Sequence, residues 1–206
     1  NGYNKDVAYI KGGYLNTDYI DYAKQNKITT KDPEVTYITS HSNLFAKDDF
    51  FYINEVLKDL PENYKLNIKV QPYDKRSKYN GFSSCSRVYI YDSKDISNPE
   101  IIARSRMVFS MCSMLSLEAK TLCNESYYLN YDAYSDVYAS YYKDLRNYMD
   151  VLVTEQELGS VLNGTYKTKS IDLFKANVNM QYPNTFNHFK LFIDKLIQNK
   201  SIEEFV

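Results

Sequence analysis

The chain has few of the residues that build disulfide scaffolds and metal sites. Among 206 residues there are three cysteines, two histidines and no tryptophan. The cysteines, Cys85, Cys112 and Cys123, are odd in number, and none has a cysteine or histidine neighbour at metal-ligand spacing. This pattern argues against a secreted, disulfide-bonded domain and against a zinc site. We therefore expect reduced thiols, a cytoplasmic location and no bound metal.

The sequence also lacks a large net charge of either sign and any long apolar run. Lys+Arg 25 against Asp+Glu 26 leaves a net charge of -1, so no overall field draws the chain to nucleic acid or to an acidic membrane. No stretch approaches the run of about 18 apolar residues that a membrane helix needs, and no signal-peptide pattern opens the chain. We expect no nucleic-acid partner, and any anion binding must be local.

Residues that build a folded core are plentiful. Hydrophobic residues make up 44% of the chain, and its length suits one α/β domain or a tight pair of small ones. The 22 tyrosines have two explanations, a bias of AT-rich coding or a surface that stacks on sugars or bases. The sequence therefore predicts a globular protein.

Strand and helix patterns alternate along the chain. Strands are predicted at 34–40, 64–70, 87–91, 107–110, 127–130 and 151–153, and helices at 17–25, 48–60, 99–105, from about 113, at 134–149, 155–162 and 185–198. Residues 71–86 read as a long basic loop. Such alternation is typical of parallel β-α units, so we predict an α/β fold with a Rossmann-like parallel sheet flanked by helices.

One strand-turn-helix unit carries a pattern suited to a phosphorylated ligand. A strand ends at Ser110, a helix opens near Ser113, and Glu118 follows five residues later. Backbone NH groups and the positive end of the helix dipole favour an anion at such a helix start. A carboxylate one turn deeper can accept hydrogen bonds from sugar hydroxyls. Helix capping by Ser113 and a dipole preference for Glu118 are the alternative explanations.

Other predicted strands also end in polar residues, and these supply the remaining candidates. They are Ser40, His41, Gln71 and Tyr91. Because the carboxyl ends of parallel strands meet at one edge of a sheet, we expect these side chains to share one binding site with the serine turn. For His41, a capping or surface role is the alternative.

The Ser110-x-x-Ser113 turn, with Glu118-Ala119 and then Leu129-Asn130, resembles the donor-nucleotide half of GT-B glycosyltransferases. The resemblance is to capsule and surface-polysaccharide transferases and teichoic-acid polymerases, and it covers roughly residues 34–163. It implies a nucleotide-diphosphate sugar as donor substrate, with the diphosphate beside the serine turn and the ribose hydroxyls on Glu118. It implies neither a cofactor nor a metal.

The sequence departs from this family at two places. Gln71-Pro72 stands where relatives commonly have His-Pro, and Cys123-Asn124-Glu125 stands where they commonly have Gly-Lys-Pro. A neutral amide cannot act as a general acid or base near neutral pH. The catalytic residue is therefore not identified, and the turn after the helix must be built differently.

The resemblance also implies a division of the chain and a set of partners. Residues 1–33 are expected to form an interdomain segment with a leading helix, and residues 34–206 the nucleotide-sugar-binding domain. A glycan acceptor and an N-terminal domain outside this chain are the expected partners, and peripheral membrane association would come through that missing part. The alternatives are a non-catalytic nucleotide- or glycan-binding module, and a polyol-phosphate transferase or sugar-nucleotide epimerase of the same fold.

Overall fold

The computed structural model describes residues 25, 33–40, 46–111, 113–122, 125–131, 146–173, 190, 193–195 and 197–198. The chain divides into two compact units, one formed by Asn1–Thr17 with Asp172–Val206 and the other by Asp18–Ile171. Helical residues at 190, 193–195 and 197 belong to the first unit. The strands described below all belong to the second.

The second unit contains a six-stranded sheet in which every pairing is parallel. Its strands are β1 Glu34–Ile38, β2 Lys65–Lys69, β3 Val88–Tyr91, β4 Met107–Ser110, β5 Ser126–Leu129 and β6 Asp150–Leu152. Their spatial order is β3-β2-β1-β4-β5-β6. This is the order of the doubly wound dinucleotide-binding fold. The predicted Rossmann-like parallel sheet is therefore confirmed.

Four α-helices and one 3₁₀ helix accompany the strands in the described part of this unit. They are α1 Ala46–Asp59, the 3₁₀ helix Arg76–Ser84, α2 Asn98–Arg104, α3 Leu115–Leu122 and α4 Glu155–Leu162. The starts of α2 and α4 are capped by hydroxyl side chains, as N-cap preferences predict. Ser97 accepts from the NH of Glu100 before α2, and Thr154 accepts from the NH of Glu157 before α4.

The two faces of the sheet have different cores. The larger apolar cluster packs α1 and α4 against strand residues such as Tyr37, Leu66 and Phe109. The smaller cluster, on the face of α2 and α3, joins residues such as Ile38 and Val108. Polar groups on this second face pair with one another, for example Asn67 Nδ2 donating to Glu34 Oε2 at 2.9 Å and Thr36 Oγ1 lying 2.5 Å from Ser105 Oγ.

Some local predictions differ from the structure. The alternation in 64–70 predicts one buried face, but Asn67 and Lys69 are buried as well, because helices cover the second face. Lys69 Nζ donates to the backbone carbonyls of Asp92 and Ile96, which satisfies the buried ammonium. The segment predicted as a long loop contains the 3₁₀ helix Arg76–Ser84. The predicted helix at 17–25 lies outside the described residues except for Gln25, and so does most of that at 134–149.

Among the described residues, no helix combines the length and the apolar character needed to cross a membrane.

Candidate functional site at the carboxyl edge of the sheet

The strand order reverses between β1 and β4, and this reversal positions the candidate site. From β1 the chain builds outward through β2 to β3, and from β4 it builds the other way through β5 to β6. Connections therefore leave the carboxyl ends of β1 and β4 in opposite directions and open a crevice between them, where ligands of open α/β sheets bind. Ser40 follows β1 at this edge, and Ser110 ends β4.

The turn between β4 and α3 is held by its own serine hydroxyls. Ser110 Oγ accepts from the NH of Ser113 at 3.3 Å and lies 2.7 Å from Ser116 Oγ. Ser113 Oγ accepts from the NH of Leu115 at 3.2 Å, which is the capping role foreseen as an alternative. Two backbone NH groups of the expected anion site thus already have partners within the turn.

Gln71 joins the end of β2 to this turn. Its side-chain Nε2 donates to Ser113 Oγ at 3.3 Å, and its backbone NH donates to Thr39 Oγ1 at 3.1 Å. Because Thr39 follows β1, these two contacts connect the carboxyl ends of β1, β2 and β4. The structure therefore brings Gln71, Ser110 and Ser113 together.

The other predicted site residues are placed less centrally. Glu118 lies in the first turn of α3, partly exposed, with its Oε2 atom shielded from solvent. Tyr91 ends β3, which β2 and β1 separate from β4, and its ring stacks on Tyr89 with centroids 6.5 Å apart. His41 lies outside the described residues. Ser40 belongs to a different hydrogen-bond cluster.

That cluster is centred on Asp49, a residue that the sequence analysis missed. Asp49 lies in the first turn of α1 and is fully buried. Its Oδ1 accepts from Tyr37 OH at 2.8 Å and from Ser40 Oγ at 3.0 Å, and its Oδ2 accepts from the NH of Ser40 at 2.9 Å. An acid at a helix start is common on the surface, and the sequence alone gave no sign that this one turns inward.

Asp74 extends the cluster through Tyr79, on the 3₁₀ helix. Tyr79 OH donates to Asp74 Oδ2 at 2.6 Å and lies 3.4 Å from Asp49 Oδ2. Lys78 Nζ also donates to Asp74. These contacts attach the 3₁₀ helix to the carboxyl ends of β1 and β2.

Burial and hydrogen bonding together set the acid-base properties of this cluster. It raises the pKa of Asp49 to about 6, although the hydrogen bonds from Ser40 and Tyr37 oppose the rise. Burial and the neighbouring Asp49 carboxyl raise the pKa of Tyr37 well above its usual value. For Asp74, burial is outweighed by hydrogen bonds from Lys78 and Tyr79, so its pKa falls below the usual value. Asp49 is therefore the acid of this cluster whose charge changes just below neutral pH.

A cavity of about 410 Å³ lies further along the same edge, at the ends of β5 and β6. It is lined by Tyr131, Val153, Thr154, Glu155 and Gln156. The hydroxyl of Tyr131 is buried and has no hydrogen-bond partner in the described part of the chain. The described residues hold no group of three or more His, Cys, Asp or Glu side chains suited to a metal ion.

No protein-family model matches the chain, and no curated protein matches it. Among solved structures, the chain is similar to two structures of the wall teichoic acid polymerase TagF, soaked with CDPG for 15 and 30 minutes. Sequence identities are 13% and 15%, and TM-scores are 0.40 and 0.41. Each similarity covers 84% of this chain and 46% of the polymerase chain, so this chain spans less than half the length of those structures.

Proposed function

We propose that this chain is the donor-binding domain of a nucleotide-sugar-dependent glycosyltransferase that acts in surface polysaccharide synthesis. The diphosphate of the donor would rest at the start of α3, and its ribose would be held by Glu118. The observation that carries the proposal is the hydrogen bond from Gln71 to Ser113 at the crevice where the strand order reverses. This contact joins the polar residues at the carboxyl ends of β1, β2 and β4 into one continuous polar surface.

The chemistry of this polar surface suits stabilisation of a nucleotide leaving group. The positive end of the α3 dipole and the amide of Gln71 would offset the charge that develops on the departing nucleotide. Glu118 lies one turn into the helix, at a depth where its carboxylate can accept hydrogen bonds from two ribose hydroxyls. No residue of the described chain is assigned as the catalytic base, which would come from elsewhere in the enzyme together with the glycan acceptor site.

A non-catalytic nucleotide- or glycan-binding module is the second candidate. Two observations favour it. The hydroxyls of Ser110 and Ser113 are already used within the turn, and a neutral glutamine stands where relatives commonly have a histidine. Such a module would bind its ligand at the same edge without turnover.

Calorimetric titration with CDP, UDP and GDP tests the proposal. We expect one of these diphosphates to bind, and Glu118→Ala to weaken its binding by about 1.5 to 3 kcal/mol, the loss typical of a hydrogen bond to a charged group. Glu62→Ala is the matched control, because Glu62 is an exposed acid in the turn between α1 and β2, at the opposite edge of the sheet.

Two results would count against the donor site. If none of the three diphosphates binds, the nucleotide-binding function is wrong, and a glycan-binding module becomes the better explanation. If Glu118→Ala binds as tightly as the Glu62→Ala control, the ribose is not held by Glu118. Nucleotide binding without hydrolysis or transfer would not separate an isolated donor domain from a non-catalytic module, so transfer must be measured with the complete gene product.

A further inference from the structure

Asn130 is a buried side chain with unused hydrogen-bonding capacity. It directly follows β5 and is 3% exposed. Its backbone NH donates to the carbonyl of Leu152 at 2.9 Å, which continues the sheet pairing. Its side-chain Oδ1 is shielded from solvent and has no hydrogen-bond partner in the described part of the chain. A buried acceptor without a partner costs about 1 to 3 kcal/mol.

The two preceding side chains on the same face of β5 show where Asn130 points. Ser126 Oγ donates to the carbonyl of Ser116 at 2.8 Å, and Tyr128 OH donates to the carbonyl of Ser113 at 2.9 Å. Side chains two residues apart share one face of a strand and lie roughly 6.6 Å apart along it. Asn130 therefore comes next on the face that carries α3, one step beyond Ser113 toward the carboxyl edge.

Three groups are thus arranged in order along α3. Glu118 lies one turn inside the helix, Ser113 lies just before its first residue, and Asn130 lies beyond Ser113. In a nucleotide-linked donor, the ribose, the diphosphate and the transferred group follow one another in the same order. The start of α3 therefore has a second feature that points to a ligand. The buried acceptor of Asn130 lies beyond the expected position of the diphosphate, on the side where the transferred group would be.

Resting on the proposed function, we propose that Asn130 is a specificity-determining residue that contacts the transferred group of the donor. Its Oδ1 accepts a hydrogen bond from a hydroxyl of a sugar or polyol attached to the diphosphate. A ligand hydroxyl supplies the donor that this buried oxygen lacks, so the polar contact forms without displacing an existing one. A nucleoside diphosphate without that group leaves Oδ1 unsatisfied.

The test compares each diphosphate with its loaded form by calorimetry. The ligand pairs are UDP against UDP-glucose, GDP against GDP-mannose and CDP against CDP-glycerol, two sugars and one polyol. For the pair that binds, Asn130→Ala is expected to weaken the loaded donor by roughly 5- to 20-fold, as a lost hydrogen bond implies. The free diphosphate should change by less than about 2-fold. Asn163→Ala is the control, because Asn163 is an exposed asparagine at the carboxyl end of α4.

A second variant controls for an effect of the substitution on folding. Asn130→Leu keeps the branched shape and the number of side-chain heavy atoms. Because the removal of an unpartnered acceptor offsets the cost of its larger volume, the free energy of urea unfolding is expected to change by less than about 1 kcal/mol. This variant should show the same selective loss of the loaded donor. Equal losses for loaded and free nucleotide would place Asn130 on the nucleotide and overturn the inference, and so would no loss for either. If the wild-type chain binds neither member of any pair, the proposed function is wrong and the inference fails with it.

Discussion

Two positions on the carboxyl edge of the sheet, the end of β1 and the end of β5, treat buried polar groups in opposite ways. At the end of β1, the buried carboxylate of Asp49 receives three close hydrogen bonds from Tyr37 and Ser40. At the end of β5, Asn130 Oδ1 and Tyr131 OH are buried with no hydrogen-bond partner among the described residues. Buried polar atoms are nearly always paired, so the second arrangement is the one that calls for a ligand or another explanation.

This difference separates a structural role from a binding role. The Asp49 cluster fixes the chain where it leaves β1 and, through Tyr79, attaches the 3₁₀ helix to the same edge. Its hydrogen-bonding capacity is used within the protein. On the face of β5 that carries α3, Asn130 keeps an unused buried acceptor, which we propose a ligand uses. The first end is therefore expected to govern stability, and the second to govern binding.

The largest expected effect is the loss of stability in Asp49→Ala. The change leaves Tyr37 OH and both donor groups of Ser40 without their buried acceptor. We expect the free energy of unfolding to fall by about 3 kcal/mol, because the cost of stranded buried donors exceeds the gain from removing a desolvated carboxyl. Urea denaturation followed by circular dichroism measures this change.

Glu62→Ala serves as the control for this substitution as well, since an exposed acid outside the cluster should change stability by less than about 0.5 kcal/mol. If Asp49→Ala and Glu62→Ala unfold at the same urea concentration, the Asp49 cluster does not hold the β1 end, and the contrast with the β5 end disappears.

The next effect is a pH dependence of stability that comes from Asp49. Its pKa is raised from 3.8 to about 6 in the folded protein. Because the pKa is raised in the folded state, the contribution of Asp49 to the free energy of unfolding is fully present below pH 3.8. This contribution is lost as the pH rises through 6. Between pH 5 and pH 8 the wild-type chain should lose about 1.4 kcal/mol more unfolding free energy than Asp49→Asn, which cannot titrate.

Parallel urea titrations of the two proteins at pH 5 and pH 8 provide the measurement. Subtracting the Asp49→Asn result removes the contribution of other groups, including Asp74, whose charge also raises the pKa of Asp49. An identical pH dependence in both proteins would mean that Asp49 titrates near its ordinary value and is not desolvated.

The contrast between these two ends also shows what sequence patterns can and cannot predict. Hydrophobic periodicity and turn residues predicted the strand Met107–Ser110 and the helix Glu155–Leu162 with their observed bounds. The Rossmann-like parallel sheet followed from strand-helix alternation. These features depend on residues that are close together in the sequence, so one sequence is enough to predict them.

The Asp49 cluster depends instead on residues that the fold brings together. Asp49 and Tyr79 are 30 positions apart, and nothing in either segment marks the other. The inward lysine on β2 was missed for a similar reason, since Lys69 satisfies its ammonium with carbonyls more than 20 residues away. Gln71 and Ser113 were predicted to share a site because both follow strands, and they do form a hydrogen bond.

The smallest expected effect concerns Tyr131, at the end of β5. Its ring packs edge-on against Phe51 and Tyr52 of α1, while its hydroxyl has no hydrogen-bond partner in the described part of the chain. Tyr131→Phe keeps the ring contacts and removes only the unsatisfied oxygen. The free energy of unfolding should therefore rise by about 1 kcal/mol. Tyr37→Phe, which removes a hydroxyl bonded to Asp49, should lower it by about as much or more.

Opposite signs for these two tyrosine variants would be the sharpest support for the contrast, because the chemical change is the same at both positions. A loss of stability in Tyr131→Phe would mean that its hydroxyl is satisfied in solution. Of the two buried polar atoms at the end of β5, Asn130 Oδ1 alone would then lack a partner among the described residues, and the argument that this position can bind a ligand would rest on Asn130.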